Sequence, residues 1–485
     1  MIDFAQTHSW PPVGDDGPGG RLADYKRRRE LYESEHAEAF ARKSARLPEH
    51  LQEKTYLIQD YPKLITDVYA DLIYGSPPVF SLPANQGQLD QLVRENRLFT
   101  RLYQGEITAG SLGDAVFKLS VGKKFEGAPL QVRIEEIQPH AYFVEVDPDN
   151  SNRVVSQCLA WERVIPGPHD TERTFLRVEH HEPGRIINEL FEIVGKGKAR
   201  PVPLSLIYGE MAPDEVEETG VDTPLLFHFP NRTSGGEYFG ESDYSLGLES
   251  LFNEANARMT AIADVLDKHI QPKLIVPSGV LSQRGDVPVA DLDIIEVWPE
   301  DAVTNAPRML TWDAQLQAAF NQLQSLEEKI FQFSDVSPAM FGKDKAGNIE
   351  SGRAMAMRFA RMMTRTNRKR AFREPVLQDM LYTAMQLQVA WGIEGATEPV
   401  GLPEIIWRNG LPKDDHELSG VATAMVTARL MSRETAYRYF ANVGADEARA
   451  EMAKVDADLP TVSLAMPAPA QGQDAPPAAN ESSNG

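Results

Sequence analysis

The chain has 485 residues, of which 42% are apolar, enough for a substantial core and for two or more domains. Its 49 Lys and Arg against 71 Asp and Glu give a net charge of −22, which excludes a simple DNA-coating protein because such a surface repels phosphate. A single cysteine, Cys158, excludes a disulfide framework and a cysteine-rich zinc site, and we expect neither a signal peptide nor a membrane span.

The N-terminal part of the chain is patterned for helices. Residues 1–20 are rich in Gly, Pro and Asp and predict a loose arm, whereas the highly charged residues 21–60 predict a helix on a surface or at a subunit contact. Apolar side chains in residues 61–74 recur at i, i+3, i+4 and i+7, which predicts an amphipathic helix. Its buried side is predicted to be Ile65, Val68, Tyr69 and Leu72. Gly75 marks its end and permits a left-handed cap.

Residues 114–195 alternate between apolar and polar side chains, as strands do. The runs FKLSV and LQVRIEEI both show this period of two. A turn at Asp147–Asn150 separates two more strands, and Glu182–Arg185, with Pro-Gly at its centre, predicts a hairpin. This part of the chain is therefore predicted to be rich in β-strands.

The rest of the chain returns to helical patterns. We predict long helices at 243–270 and 312–333, a small β-containing insertion at 272–311 between them, a loop at 334–350 and a third long helix at 351–390.

Shorter elements are predicted beyond Pro399. The run LPEIIWRN predicts a strand, and residues 413–455 predict short helices for which Ser432 and Asp446 are candidate N-caps. Residues 460–485 hold several prolines and no aromatic, Lys or Arg residue, so we expect them to be disordered.

The sequence offers one candidate for enzyme chemistry. Its Gly-Lys pairs lack the other residues of a phosphate loop, and it has no Gly-x-Ser-x-Gly motif. Glu179-His180-His181-Glu182 could bind a metal if all four side chains converged, but adjacent residues on a strand point to opposite faces. A metal-dependent hydrolase built on this cluster stays open as an alternative. We predict a protein that is not an enzyme, with no catalytic residue, metal or cofactor.

The most unusual charge feature is residues 351–373, which carry eight basic side chains and no acidic one. Helical spacing puts most of the arginines on one face. Such a face is either solvated, paired with acidic neighbours, or a site for nucleic acid or a negatively charged partner subunit. The candidate residues are Arg353, Arg358, Arg361, Arg365 and Arg368.

Four segments, taken in order, resemble the portal proteins of tailed bacteriophages, the head–tail connectors. They are the helix ending in YGSPPVF (74–80), the two long helices around a small mixed insertion, SDVSPAMFGKDKAGNIESGRAMAMRF (334–359) and WRNGLPKDDHELSGVATAMVTARLMSRETAYRYF (407–440). Their order and spacing carry the resemblance, which extends over roughly residues 55–455.

The resemblance implies an α+β portal-type subunit with an α/β wing, a two-helix stem, a small α/β clip, a long kinked helix and a helical crown. The implied boundaries are a flexible arm at 1–20, the first part of the wing at 21–240, stem helices at 241–271 and 312–333, the clip at 272–311, the tunnel loop at 334–350, the long helix and wing completion at 351–409, the crown at 410–458 and a disordered tail at 459–485.

The resemblance also implies a function in the virion. Portal subunits form a ring of twelve at one capsid vertex, assembled in the host bacterial cytoplasm, through which double-stranded DNA passes without sequence specificity during packaging and ejection. The implied partners are the terminase large subunit, the scaffolding and major capsid proteins and the head–tail adaptor, with no membrane. Another ring-forming virion connector is an alternative that the chain length disfavours.

Two groups of residues receive a role from the resemblance. The tunnel-loop residues that would face the DNA channel are Phe341, Gly342, Lys343, Lys345, Gly347 and Asn348. The clip residues that would dock partners are Asp291, Asp293, Glu296, Glu300 and Asp301.

Overall fold

A computed structural model of the protein describes residues 10–12, 20–40, 56–166, 172–195, 197–244, 246–270, 273–277, 294–297, 308–310, 316–341, 352–408, 415–441 and 443–458. The chain divides into two compact units, Met1–Asp414 and Asp415–Gly485. The mixture of helices and strands confirms the predicted α+β class.

Helices occupy the beginning and the second half of the described chain. They are α1 (Arg21–Tyr32), α2 (His36–Phe40), α3 (Tyr61–Ala70), α4 (Gln86–Glu95), α5 (Leu98–Leu112), α6 (Ser205–Tyr208), α7 (Leu246–Ile270), α8 (Leu316–Ser334), α9 (Gly352–Ala390), α10 (Asp415–Thr427), α11 (Arg433–Ala441) and α12 (Ala445–Asp458).

The described strands form four sheets, and the largest of these has the order β4-β5-β6-β7-β8, with β9 paired to the start of β7. A second sheet has the order β10-β2-β3, and β1 pairs with β14. The small sheet β12-β11-β13 lies between α7 and α8 in the chain. The strands are β1 (Val79–Ser81), β2 (Asp114–Lys123), β3 (Leu130–Ile137), β4 (Tyr142–Asp147), β5 (Asn150–Pro166), β6 (Glu172–Glu182), β7 (Arg185–Val194), β8 (Lys198–Pro201), β9 (Val216–Glu218), β10 (Leu226–Pro230), β11 (Lys273–Pro277), β12 (Ile294–Val297), β13 (Arg308–Leu310) and β14 (Glu404–Ile406).

Helix α9 packs into both main hydrophobic cores of the first unit. Its C-terminal half lies in a core with α5 and the β10-β2-β3 sheet, where Phe117 and Leu381 are buried. Its N-terminal half lies in a second core with α3, α7 and α8, where Met362 and Ile330 are buried. Pro375, which removes one backbone donor from the helix, lies between these two halves.

Two glycines allow α5 to pack closely against its neighbours. A Cβ on Gly105 would lie 2.5 Å from the ring of Phe117, so only glycine lets the helix rest on that ring. Gly113 ends α5 at a φ of 115°, a left-handed conformation that suits glycine, and its N–H donates to the carbonyl oxygen of Ala109 at 2.8 Å.

The amphipathic helix predicted at 61–74 is confirmed, and its four predicted core residues are all buried. It ends differently from the prediction. Gly75 does not take a left-handed cap; instead α3 continues into a π-helical turn, Asp71–Gly75.

The N-terminal segments make more contacts with the rest of the first unit than the sequence predicts. Trp10, within the predicted loose arm, donates its backbone N–H to the carbonyl oxygen of Gly197 at 2.9 Å, and its ring centroid is 5.4 Å from that of Phe143. Helix α1 was predicted to lie on a surface, yet Tyr25 and Leu31 are buried within the same unit.

The predicted strands and turns of residues 114–195 are present. β4 and β5 join at the predicted Asp147–Asn150 turn. β6 and β7 form an antiparallel pair that begins at the predicted hairpin, where Glu182 lies opposite Arg185. The run after Pro399 forms β14, which pairs antiparallel with β1. The insertion forms a sheet in which β11 pairs with β12 in parallel and with β13 antiparallel.

The long helices are also close to their predicted bounds. On α7, Leu248, Ala255 and Ile262 are buried, whereas Leu266 is 40% exposed. Phe252 is fully buried in the core that α7 shares with α3 and α8.

The second unit is described by three short helices, as predicted. Ser432 caps α11, because its Oγ accepts the backbone N–H of Thr435 at 3.0 Å. The predicted cap at Asp446 is wrong, since α12 begins one residue earlier, at Ala445. The predicted disordered tail lies outside the described residues.

Candidate functional site

Three basic side chains of α9 meet two acidic ones in the interior of the first unit. Arg365 and Lys369 contact the two carboxylate oxygens of Asp243 at 2.8 and 2.7 Å. Lys369 also lies 3.1 Å from Glu106, and Nε of Arg373 lies 2.8 Å from the other oxygen of that carboxylate. All five are buried, and we call them the buried ion network.

The positions of these residues explain what the network joins. Arg365, Lys369 and Arg373 are four residues apart, so they lie along one face of α9. Glu106 comes from α5, and Asp243 lies shortly before α7. The network therefore fixes α9 to α5 and to the segment that leads into α7.

The electrostatics of the network favour the charged forms. Burial alone would raise the pKa of Asp243, but Lys369 and Arg365 outweigh it and hold that pKa well below its usual range. Burial alone would lower the pKa of Arg373, but the carboxylate of Glu106 outweighs this effect and raises that pKa. Arg365 has further acceptors outside the network: it donates to the carbonyl oxygen of Ser334 at 2.9 Å, and it lies 3.8 Å from the carboxylate of Asp335.

Another arginine of α9 supports the π-helical turn. Arg370 donates to the carbonyl oxygens of Leu72 at 2.8 Å and Arg408 at 2.7 Å. Its guanidinium carbon lies 5.5 Å from the ring centroid of Trp407, which in turn packs against Tyr74. A backbone acceptor of an irregular helix is thus satisfied by a side chain more than 290 residues away in sequence.

The predicted basic face is only partly exposed. Arg361 is 78% exposed and contacts Asp335 at 2.9 Å, and Arg358 and Arg368 are exposed, whereas Arg365 is buried in the network. The side chain of Arg353 lies outside the described residues. Sequence reasoning missed Lys369 and Arg373, although their spacing of four from Arg365 was a signal for a shared face.

The Glu179–Glu182 cluster adopts the strand geometry expected for it. His180 and His181 lie next to each other on β6, and Nε2 of His180 is 2.9 Å from Glu189. Nε2 of His181 is 3.7 Å from Glu179, which pairs with Lys118. In the part of the chain that the structure describes, no three His, Cys, Asp or Glu side chains are placed to hold a metal ion.

The structure describes few residues of the predicted tunnel loop and clip. Phe341 ends a short 3₁₀ turn, and its ring stacks on that of Phe331 at 5.9 Å between centroids. The other predicted loop residues, Gly342, Lys343, Lys345, Gly347 and Asn348, lie outside the described residues. Of the clip residues, Glu296 belongs to β12, and Asp291, Asp293, Glu300 and Asp301 also lie outside them.

A cleft of 770 Å³, which we call the wing cleft, opens between the large sheet and α9. His228 lies in its wall, with Nε2 2.6 Å from the buried carboxylate of Asp114. The imidazole stacks on the ring of Tyr238 at 4.7 Å. Asp114 also accepts the hydroxyl of Tyr25 at 2.5 Å, so this wall is connected to α1.

Comparison with known proteins identifies the family to which the second half of the chain is similar. Residues 248–459 match the family model described as "Phage portal protein, SPP1 Gp6-like". The resemblance to phage portal proteins is confirmed. The matched residues include α7 from its third residue onward, the small sheet, α8, α9 and the three described helices of the second unit.

A solved structure titled "Virion of native gene transfer agent (GTA) particle" is also similar to the chain. The two share 10% sequence identity, with a TM-score of 0.40, over 81% of this chain and 92% of that one. No curated protein matches the sequence. None of the described helices is long and apolar enough to cross a membrane.

We predict that Lys369→Met destabilises the protein by about 3–5 kcal/mol, because it leaves Asp243 and Glu106 buried without their shared cation. The control is Arg368→Met, whose exposed side chain makes no ion pair in the described structure and should change stability by at most about 0.5 kcal/mol. Denaturant unfolding of both variants in the same assembly state measures the difference. Equal effects of the two substitutions would contradict this role for the network.

We also predict that stability falls as the pH drops below about 4, the range in which unfolded carboxylates become protonated. Burial alone would raise the pKa of Glu179, but His181 and Lys118 lower it to about 2. A carboxylate whose pKa is lower in the folded state than in the unfolded state stabilises the folded protein at any pH above the unfolded-state pKa. This stabilisation is lost as the pH falls from the unfolded-state pKa towards the folded-state pKa.

Thermal unfolding between pH 6 and pH 3 tests this prediction. Lys118→Met should make the decline less steep, because it removes one cause of the low pKa of Glu179. Lys123→Met, at the exposed end of the same strand, is the matched control and should leave the slope unchanged. A slope identical in all three proteins would show that Glu179 does not contribute.

Proposed function

We propose that the chain is a portal subunit that assembles with copies of itself into a closed ring of twelve at one vertex of a phage capsid. The observation that carries the proposal is the portal family match over residues 248–459. In this proposal the protein is a structural component of the virion, assembled in the host bacterial cytoplasm, and it catalyses no reaction.

The arrangement of the stem helices supports this proposal. α7 and α8 pack against each other through a shared core that includes Phe252 and Ile330. The small sheet connects the end of α7 to the start of α8, so the chain must leave the helix pair and return at the same end. We infer that this sheet is the clip, which docks the terminase large subunit during packaging and the head–tail adaptor afterwards.

The charge of the chain suits a channel through which DNA slides. Affinity for DNA rises with the number of phosphates that Lys and Arg neutralise. A subunit with a net charge of −22, repeated around a ring, offers few such contacts. We infer that double-stranded DNA passes without sequence specificity and that Lys343 and Lys345, between α8 and α9, make transient contacts with it. Scaffolding and major capsid proteins would surround the ring in the capsid.

The ring itself is the first test. Purified protein at micromolar concentration should give particles of about 650 kDa by light scattering, the mass of twelve 54.0 kDa subunits, with twelve-fold symmetry in the capsid by electron microscopy. Other ring sizes formed by the isolated protein would still support a ring-forming connector. A 54.0 kDa monomer that stays monomeric in the presence of scaffolding protein would refute the proposal.

A second test separates the channel from the docking surface. Replacing Lys343 and Lys345 by Ala should preserve ring assembly but change the packaging rate or the retention of packaged DNA, with Lys123 and Lys124 of the wing as control positions. Charge reversal of the clip residues should instead weaken binding of terminase or adaptor to intact rings. These are Asp291, Asp293, Glu296, Glu300 and Asp301. Normal packaging and normal docking in both variants would remove the assigned roles.

A further inference from the structure

Strand β5 is longer than the strands on either side of it. It pairs with β4 between Asn150 and Leu159, and with β6 only from Cys158 to Pro166. β6 turns back into β7 at Glu182–Arg185, so residues 150–157 of β5 have a partner strand on one side only in the described structure. A free row of backbone N–H and C=O groups is a template for another strand.

The wing cleft opens beside this free edge and has an apolar wall. Val154 and Val155 of β5 line it and are 39% and 59% exposed. The pairing of β5 with β4 skips from Val154 to Ser156, so a bulge at Val155 helps to expose both valines. Phe372 of α9 lines the cleft as well, so an occupant would contact the sheet and the helix together.

The charged groups that line the cleft favour a cationic occupant. Glu182, Glu237 and Asp379 line it, whereas no Lys or Arg stands among its described lining residues. Glu182 pairs with Arg185 at 2.7 Å, whereas the carboxylates of Glu237 and Asp379 have no ion-pair partner in the described structure.

A buried histidine adds an unfilled hydrogen-bonding site. His181 also lines the cleft and is 2% exposed; its Nε2 faces Glu179 at 3.7 Å, and its Nδ1 has no hydrogen-bond partner among the described residues. A buried polar group without a partner is costly, which favours an occupant that brings backbone or side-chain donors and acceptors.

The same sheet carries a strand with the complementary properties. Among the described strands β8 pairs only with β7; Trp10 donates to Gly197 just before it, and Lys198–Pro201 have no second partner strand in the described structure. It carries two basic side chains, Lys198 and Arg200, on one face, and Arg200 is 66% exposed although it pairs with Glu192. A basic edge strand fits an acidic cleft beside another free edge.

One chain cannot bring these two edges together. β8 pairs with the end of β7 at 191–194, whereas the cleft lies by the turn that begins β7. Ten residues of strand span roughly 33 Å. Two complementary patches at opposite ends of one sheet are what a heterologous contact in a closed ring requires.

We propose that β8 of one copy adds to the free edge of β5 in the next copy and places its basic side chains against Glu237 and Asp379 of the wing cleft. The sheet then continues from subunit to subunit. This inference rests on the proposed function, because it requires that copies of the chain form a ring.

A crosslinking experiment tests the contact directly. The variant carries Val155→Cys and Pro201→Cys, which leave Lys198 and Arg200 in place, and is treated with a short bis-maleimide before denaturing electrophoresis. Burial raises the pKa of the native Cys158 thiol to about 12, so this cysteine supplies almost no reactive thiolate. We expect a ladder of covalent multiples of the subunit.

Matched controls fix the position of the contact. Val164→Cys with Pro201→Cys uses another exposed valine of β5, which is 55% exposed but lies where β6 already pairs. This pair, and each single variant, should give no ladder. In addition, Lys198→Glu should lower the yield of rings several-fold, and Glu237→Lys in the same chain should restore much of it.

The outcomes separate this inference from the proposed function. Rings without a ladder, and without loss on Lys198→Glu, would overturn the β8 contact while leaving the portal proposal standing. A Val155→Cys crosslink only to an added virion protein would also overturn it, because another protein would then occupy the cleft. Failure of the wild-type protein to form rings under any condition would instead refute the portal proposal.

Discussion

The structure of the first unit depends on one buried arrangement of charges. Three cations on one face of α9 surround the carboxylates of Glu106 and Asp243, and all five side chains are removed from water. Taking isolated charges out of water costs several kcal/mol each, and only close pairing and full hydrogen bonding compensate. The network therefore permits one placement of α9 against α5 and the start of α7, because any shift would leave a charge unpaired.

This constraint matters because α9 belongs to two cores. Met362 packs with α3, α7 and α8, whereas Leu381 packs with α5 and the β10-β2-β3 sheet. Lys369 lies between them, six residues before Pro375. The helix thus connects the two cores, and the ion network lies between the two parts of the helix that pack into them.

The sequence was sufficient for elements whose evidence is local. The period of α3 predicted four buried residues correctly, and Pro-Gly at 183–184 predicted the β6–β7 hairpin, since both depend on neighbours within a few positions. The ion network could not be predicted in this way. Arg365 and Asp243 are 122 residues apart, and Arg373 and Glu106 are 267 apart. Spacing along α9 shows which residues share a face, but the carboxylates that meet that face are set by the tertiary fold.

The same limit applies to the arginines of α9 and to the free edge of β5. The sequence places the arginines on a helix but does not show which of them are buried. The free edge of β5 exists only because β6 ends at the Glu182–Arg185 turn, before it reaches residues 150–157 of β5. Strand pairing depends on both partners, so one strand's sequence does not reveal where its neighbour stops. Glu237 and Asp379 become parts of one cleft only when β10, its following loop and α9 are packed together.

The placement of the basic residues also bears on how a portal ring would handle DNA. A run of eight cations in a chain of charge −22 would suggest a phosphate-binding helix. However, Arg365, Lys369 and Arg373 are neutralised inside the subunit by Asp243 and Glu106, so they can release no counterions from DNA. What remains for phosphate is a small number of exposed side chains, whose contacts are screened over about 8–10 Å at physiological salt. Under the portal proposal, four of the eight basic side chains, Arg365, Lys369, Arg370 and Arg373, are buried and stabilise the subunit, and the DNA is left free to move.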